Sequence, residues 1–408
     1  MVEAKTKVKR YDTYKNSSVE WLGEIPEHWE VLANKHIFSL KKNQVGKKSD
    51  DYDLLSLTLK GVVVRNLENG GKFPAEFDTY QEVKKGDFVF CLFDVEETPR
   101  CVGLSDFDGM ITGAYTVMEP NENFDKRFLY HYYLNLDADK RMKPLYTGLR
   151  NTISKDNFFA FKTFVPPLKE QTKIAQFLDD KTTKIEDAIT IKEQQINLLK
   201  ERKQILIHKA VTQGLNPNVK LKDSGVDWIG EIPEHWEVKR LKHCLNINNG
   251  SDYKHIQTDE GYPVIGSGGQ FAYASEYMYD GEVVFLGRKG TIDKPLYFKG
   301  KFWAVDTMFY ANTKNGNIVK FLYYLATTLP FSYYSTATAL PSMTQSDLNN
   351  HPISRPPIDE QKKIVEYIEN ATNKIDTAII LKQQEIEKLK EYKSSLINSV
   401  VTGKVRVC

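Results

Sequence analysis

Pro166-Pro-Leu-Lys-Glu-Gln-Thr-Lys-Ile-Ala-Gln-Phe-Leu-Asp-Asp180 opens a stretch that runs on to Thr212, and this stretch decides the fold because it is written again at Pro356 to Thr402. The copies align at a constant offset of 190 residues without a gap and are identical at 22 of 47 positions. In the first copy a seven-residue pattern places Ala175, Leu178, Thr182, Ile185, Ile189, Lys192, Ile196, Leu199, Lys203, Leu206 and Ala210 on one stripe. The second copy gives Val365, Ile368, Thr372, Ile375, Ile379, Lys382, Ile386, Leu389, Lys393, Leu396 and Val400. Steps alternating three and four keep a stripe facing a partner helix. No Gly or Pro interrupts the helical part of either run, so no sharp kink is predicted. At 1.5 Å per residue each helix is roughly 65 Å long, more than an ordinary amphipathic helix on a compact core requires. Two narrow seams in one chain most simply bury against each other, which predicts an antiparallel intramolecular pair. Lys192 and Lys382 lie in the seams near their middle and meet as like charges unless they extend outward to water.

A chain of 408 residues with 41% hydrophobic content has room for two or three domains. Its net charge of +2 announces no global basic field, although single faces of a balanced chain can be basic. Cys91, Cys101, Cys244 and Cys408 show neither metal spacing nor a disulfide framework, which suits a reducing compartment. The opening Met1 to Tyr14 lacks the apolar centre of a signal peptide, and no run of 18 apolar residues exists. The expectation is a soluble cytoplasmic protein.

A second repeat frames the first. Trp21-Leu-Gly-Glu-Ile-Pro-Glu-His-Trp-Glu-Val31 returns as Trp228-Ile-Gly-Glu-Ile-Pro-Glu-His-Trp-Glu-Val238, identical at ten of eleven positions. The order is leader and motif (1–31), variable block (32–165), long helix (166–213), linker and motif (214–238), variable block (239–355), long helix and tail (356–408). Two Trp residues around a Gly and an Ile-Pro turn make an apolar plug, and His28 and His235, without a second ligand at metal spacing, read as part of it.

The variable blocks read as mixed α/β. Leu54 to Leu59, Gly61 to Arg65 and Asp87 to Phe93 are strand-like in the first, and Phe128 to Leu136 is helical. In the second, Gly281 to Leu286 and Phe302 to Asp306 are strand-like, and Val319 to Leu329 is helical. The blocks share little beyond this skeleton, as expected of two recognition modules on one fixed frame.

Short catalytic signatures are missing. Gly70-Gly71-Lys72-Phe73 lacks the spacing and hydroxyl of a phosphate-cradling loop, and Gly266-Ser-Gly-Gly-Gln-Phe271 reads as a turn. No helical His-Glu-x-x-His occurs, nor an Asn-Pro-Pro-aromatic tetrad. The positive signal is basic and amide side chains on predicted loops. Gly287-Arg-Lys-Gly-Thr291 presents Arg288 and Lys289 on a glycine-hinged tip, suited to a guanine edge and a phosphate, with Thr291 as a further phosphate donor. Gly148-Leu-Arg-Asn-Thr152 offers Arg150 and Asn151, matched to guanine and adenine edges. Lys60, Arg65, Arg100 and Lys155 are further candidates in the first block, and Tyr253, Lys254, Gln270, Lys294 and Gln345 in the second.

The layout resembles the specificity subunit of type I restriction–modification systems over essentially the whole chain. The resemblance is carried by the two Trp motifs, by the Pro-Pro-x-x-Glu-Gln openings at Pro166 to Gln171 and Pro356 to Gln361, and by the duplicated helices. Lys85 to Asp94 and Asp108 to Thr116 resemble stretches of one class of target-recognition domain. It implies two α/β target-recognition domains separated by two long helices in an antiparallel coiled coil with a pseudo-twofold internal repeat. It implies, further, that each domain reads one half of a split, asymmetric site on double-stranded DNA, about one helical turn (~34 Å) apart. The helices set the gap and dock two modification subunits, which hold S-adenosylmethionine, while restriction subunits bring ATP- and Mg-dependent chemistry. This chain then binds no cofactor and catalyses nothing. Two other readings make different predictions. A bivalent protein-binding scaffold shows no salt-sensitive gel shift, and a fused methyltransferase or nuclease modifies or cuts DNA by itself with S-adenosylmethionine or Mg.

Overall fold

The computed structural model describes residues 9–19, 21–65, 77–148, 150–331 and 341–407. Gly70 to Phe73 lies outside the described residues. The chain divides into two compact units, Met1–Ile191 with Gln384–Cys408, and Lys192–Gln383. The described helices are α1 Lys126–Ala138, α2 Lys155–Ala160, α3 Leu168–Gln213, α4 Val319–Ala326, α5 Gln345–Asn350 and α6 Ile358–Val401. The two long predicted helices are therefore α3 and α6, of 46 and 44 residues.

In the first unit the motif strand Glu24–Pro26 pairs antiparallel with Tyr14–Asn16 of the leader. The variable block begins and ends on neighbouring strands, because Glu30–Ala33 pairs antiparallel with Lys162–Val165. Between them lies a four-stranded sheet in the order Phe38–Leu40, Thr116–Pro120, Phe88–Phe90, Val102–Leu104. The predicted strands Leu54 to Leu59 and Gly61 to Arg65 form one hairpin, Leu55–Thr58 against Gly61–Val64. The predicted strand Asp87 to Phe93 is shorter, because the chain turns at Asp94 with φ 46. Helix α1 starts where the Asp125 carboxylate accepts from the Arg127 and Phe128 N–H groups. It lays Tyr133 edge-on to Phe38 and Phe90, all three essentially buried. Arg127 and His131 of α1 hold Asp179 of α3, each at 2.8 Å. Partial burial pushes the Asp179 carboxyl up, but hydrogen bonds from His131 and Arg127 outweigh it and bring it to about 2.

The Glu-Gln opening has a mechanical role. The Glu170 carboxylate accepts from Trp29 Nε1 at 3.2 Å and Tyr11 Oη at 2.6 Å, and pairs with His28 Nε2 at 2.8 Å. Gln171, buried, donates to the Pro166 carbonyl at 2.8 Å and accepts from the Asp125 N–H at 2.9 Å, joining the starts of α3 and α1. Trp29 is fully buried, as an apolar plug requires. The tail after α6 belongs to this unit: the Arg406 N–H donates to the Lys9 carbonyl at 2.8 Å, and Tyr14 Oη to the Gly403 carbonyl at 3.1 Å.

The second unit repeats the frame. Leu221–Asp223 pairs with Glu231–Pro233, and Glu237–Arg240 with Pro352–Arg355. Trp236 Nε1 donates to Glu360 at 2.9 Å, and His235 Nε2 meets the same carboxylate at 2.6 Å. Gln361 donates to the Pro356 carbonyl and accepts from the Ile318 N–H at the start of α4. What differs is the content of the block. A seven-stranded sheet runs Leu245–Asn249, Met308–Thr313, Tyr279–Gly287, Leu296–Ala304, Tyr262–Gly266, Gly269–Ala274, Gln257–Thr258. The predicted turn at Gly266 to Phe271 joins two of these strands, with Gly266 opposite Gly269.

The long helices are antiparallel in each unit. Glu186 of α3 pairs with Lys393 of α6 in the first, and Lys203 of α3 pairs with Asp376 of α6 at 2.6 Å in the second. These bridges are repeats of each other, since Glu186 and Asp376, like Lys203 and Lys393, are 190 residues apart. In the first unit Ala175 and Leu178 share a buried cluster with Ile397 and Val400, and in the second Ile207 and Ala210 do so with Ile364, Val365 and Ile368. The seam residues Leu178, Ile185, Ile196, Ile368 and Ile386 are buried, while Ile189, Leu199, Leu206, Ile375, Ile379, Leu389 and Leu396 are half-buried. In the second unit the Lys203–Asp376 register puts Lys382 near Asn197, about 7 Å along the axis from Lys192, so the seam lysines do not meet.

Candidate nucleic-acid interface

Each unit sets two loops side by side at the far end of its central strands. In the first unit, the loop after Phe88–Phe90 is fastened to the loop carrying Arg150 and Asn151. The Asp94 N–H donates to the Arg150 carbonyl at 2.9 Å, and the Ile153 N–H to the Leu92 carbonyl at 2.8 Å. In the second unit, the loop after Tyr279–Gly287 is fastened to the segment before α5. The Gly290 N–H donates to the Pro341 carbonyl at 2.8 Å, and the Met343 N–H to the Arg288 carbonyl at 3.0 Å. One scaffold feature thus presents Arg150, Asn151 and Lys155 in one unit, and Arg288, Lys289, Thr291 and Gln345 in the other.

The side chains on these loops differ in how free they are. Arg150 is exposed but bound to Asp94 through both Nε and Nη2. Hydrogen bonds from Arg150 pull the Asp94 carboxyl below its usual range, and the same contact raises the guanidinium. Asn151, at φ 43, donates through Nδ2 to Glu97 at 3.2 Å. Both side chains therefore carry an acidic partner. Lys155 is exposed in the first turn of α2, after the Ser154 cap.

In the second unit the predicted tip is not a projecting one. Arg288 is half-buried, its N–H donates to the Thr307 carbonyl at 2.9 Å, and its Nη1 donates to the Asp306 carbonyl at 3.2 Å. Lys289 and Lys294 remain exposed, and Thr291 is half-buried. Gln345 starts α5, where Thr344 and Asp347 form a capping box, and its Nε2 donates to the Ile247 carbonyl at 2.5 Å. That hydrogen bond gives Gln345 a structural task.

The remaining candidates lie elsewhere. Lys60 is exposed at the turn of the Leu55–Thr58 hairpin, and Arg65 follows it, its N–H donating to the Leu54 carbonyl. Arg100 is turned toward α1, with Nη1 3.4 Å from Tyr130 Oη. Tyr253 and Lys254 lie in sequence before the strand Gly269–Ala274 that carries Gln270, and the Tyr253 ring stands edge-on to Phe271 of that strand at 5.4 Å. Sequence reasoning named Tyr253 here but passed over Phe271, Tyr273 and Tyr277. Phe271 is 56% and Tyr273 41% exposed on the strand Gly269–Ala274. Lys301 Nζ stands 4.6 Å over Tyr277. The paired aromatics of Gln270-Phe-Ala-Tyr-Ala274 were the available signal.

Among the described residues no helix is long and apolar enough to cross a membrane, and no group of three His, Cys, Asp or Glu side chains is set to hold a metal.

Comparison with known proteins agrees with this layout. The family model described as type I restriction modification DNA specificity domain matches residues 101–201 and 233–391. A protein of Methanocaldococcus jannaschii assigned as the type I restriction enzyme MjaX specificity subunit is 25% identical over 95% of this chain and 96% of its own. The MjaVIII specificity subunit of the same organism is 26% identical over 73% of this chain and 75% of its own. A chain from a type I R-M system, solved in work on its complex assembly and conformational transition, aligns with a TM-score of 0.70 at 15% identity. The alignment covers 92% of this chain and 98% of that one. The HsdS subunit from Thermoanaerobacter tengcongensis gives 0.53 at 15% identity, covering 93% and 98%. At such identity the structural matches speak to fold alone.

Proposed function

The chain belongs to the specificity subunits of type I restriction–modification systems, and on that premise we propose that it reads a bipartite, asymmetric double-stranded DNA site, one half per unit. The observation carrying this reading is one frame with two unlike fillings. Trp motif, Glu-Gln clamp, paired entry strands and apposed loops recur in both units, while the sheets between them differ in strand number and order. A fixed frame with divergent contents is what two readers of different half-sites require. The paired helices set the spacing and dock two modification subunits. S-adenosylmethionine, ATP and Mg act on the partner subunits, and this chain contributes recognition without catalysis.

Replacing residues 32–165 by the corresponding block of another specificity subunit tests the reading. Methylation mapping in cells that also carry the modification subunit should show one half-site altered and the other kept. A change in both halves, or in neither, would sink it. At residue level, Lys289 is the phosphate contact of the second unit. Lys289→Ala should weaken binding to all sequences alike and lower the salt slope of log K by about 1, read by fluorescence anisotropy across a salt series. A sequence-selective loss with an unchanged slope would assign Lys289 to base reading instead.

A further inference from the structure

Two loops of the first unit meet at Asp94 and Arg150, and they are joined twice. In the main chain the Asp94 N–H donates to the Arg150 carbonyl at 2.9 Å, and the Val95 N–H to the Asn151 carbonyl at 3.4 Å. In the side chains the Arg150 guanidinium donates from Nε to Asp94 Oδ1 at 2.9 Å and from Nη2 to Asp94 Oδ2. Its Cζ stands 5.9 Å over the ring of Phe93, the residue before Asp94. Asp94 and Asn151 take φ 46 and 43, a left-handed conformation that Asp and Asn tolerate better than most residues. Backbone, carboxylate and ring together fix one orientation of a side chain that is 71% exposed.

An exposed ion pair ordinarily adds little to stability, and holding two side chains in one geometry costs rotamer freedom. Folding alone gives slight reason for the arrangement, and what it leaves open points to its use. A guanidinium carries its N–H donors in one plane. Asp94 takes the edge made by Nε and Nη2, and among the described residues Nη1 has no acceptor. The remaining edge, from Nη1 and Nη2, offers two parallel N–H groups to a planar pair of acceptors. Guanine presents such a pair, O6 and N7, in the major groove. The Arg150–Asp94 pair is neutral overall, which suits a base edge better than a phosphate, because phosphate binding draws on net positive charge. In the second unit Arg288 is held differently: Nη1 donates to the Asp306 carbonyl, and no carboxylate engages it among the described residues. The arrangement therefore belongs to the first block.

We propose that Asp94 is a positioning residue for base recognition, holding Arg150 so that Nη1 and Nη2 take one guanine edge in the half-site read by the first unit. This rests on the bipartite reading above and names one specificity-determining pair within it. Asp94 touches no base. It acts by removing the freedom of the guanidinium before DNA arrives, so that less is lost on binding.

The test takes the full chain with its modification subunit and a DNA library randomised across the methylated site, sequenced after selection. Wild type should demand guanine at one position of the half-site that changes when residues 32–165 are exchanged. Arg150→Lys keeps the charge but not the planar fork, and should cut that preference about tenfold. Asp94→Asn keeps the side-chain size and tolerates the left-handed backbone, and should cut it roughly threefold. The double variant should lose no more than Arg150→Lys alone, because Asp94 acts only through Arg150. All other positions, the second half-site and the melting temperature should stay as in wild type. A guanine preference unchanged in either single variant would overturn the assignment and leave the bipartite reading standing. So would an affinity that shifts for every sequence alike, the mark of a phosphate contact or of a carboxylate repelling DNA. A wild-type selection without two separable halves would overturn the bipartite reading itself.

Discussion

Trp29→Ala should destabilise the first unit by about 3–5 kcal/mol, the range for emptying a buried aromatic site. The ring is fully buried, edge-on to Phe128 at 6.4 Å and to Tyr11 at 6.2 Å. Its Nε1 is one of three donors on the Glu170 carboxylate. The substitution therefore opens a void and also loosens the residue that ties the Trp motif to the start of α3. A loss of this size is a large fraction of a domain's stability. Because a chain of two units need not unfold in one step, hydrogen exchange resolved by peptide is the right readout. Protection should fall in residues 9–191 and 384–407, and Trp236→Ala should produce the mirror result in residues 192–383, where Glu360 takes the place of Glu170. Wild-type protection in the Trp29 variant would show that the plug is dispensable.

Removing one heptad from α3 between Glu186 and Lys203, together with one from α6 between Asp376 and Lys393, should shorten the DNA gap by about three base pairs. Seven residues span about 10 Å of helix, and a duplex rises about 34 Å per ten base pairs. Seven rather than four keeps the seam in phase, since a four-residue change rotates the apolar stripe. Both ion pairs keep their residues, so the helices can still pair. Removing the heptad from α3 alone moves one ion pair out of register by a similar distance and should abolish methylation. Mapping the methylated sites of each variant decides the matter. A double deletion that leaves the gap unchanged, or that alters either half-site, would refute the spacer role.

The helices were legible because their seam obeys one period over many turns and appears twice, so local noise cancels. Their direction followed from a short chain and two matching seams. The purpose of Glu170 was not legible, because it depends on Trp29 lying 141 residues away in sequence. Arg150 was found as a candidate from its type and its loop, but its engagement by Asp94, 56 residues distant, needed coordinates. Arg288 illustrates the same limit from the other side. A Gly-Arg-Lys-Gly run looks like a free tip until the neighbouring segment, starting at Pro341, is seen to be hydrogen-bonded along it. Block two escaped more than block one because its Tyr253 to Phe271 stretch has no counterpart in block one to align with.

Entry and exit of each variable block lie on adjacent antiparallel strands, Glu30–Ala33 beside Lys162–Val165 and Glu237–Arg240 beside Pro352–Arg355. Their backbones are therefore only about 5 Å apart, whatever fold the intervening residues adopt. Such a doorway makes each reader a cassette. Genetic recombination whose crossovers fall in these flanking repeats can install a foreign reader in a single event, without disturbing the host frame. If each unit reads one half-site, as proposed, half of an address is then rewritten at once while the other half stays valid, and targets diversify combinatorially instead of one base contact at a time.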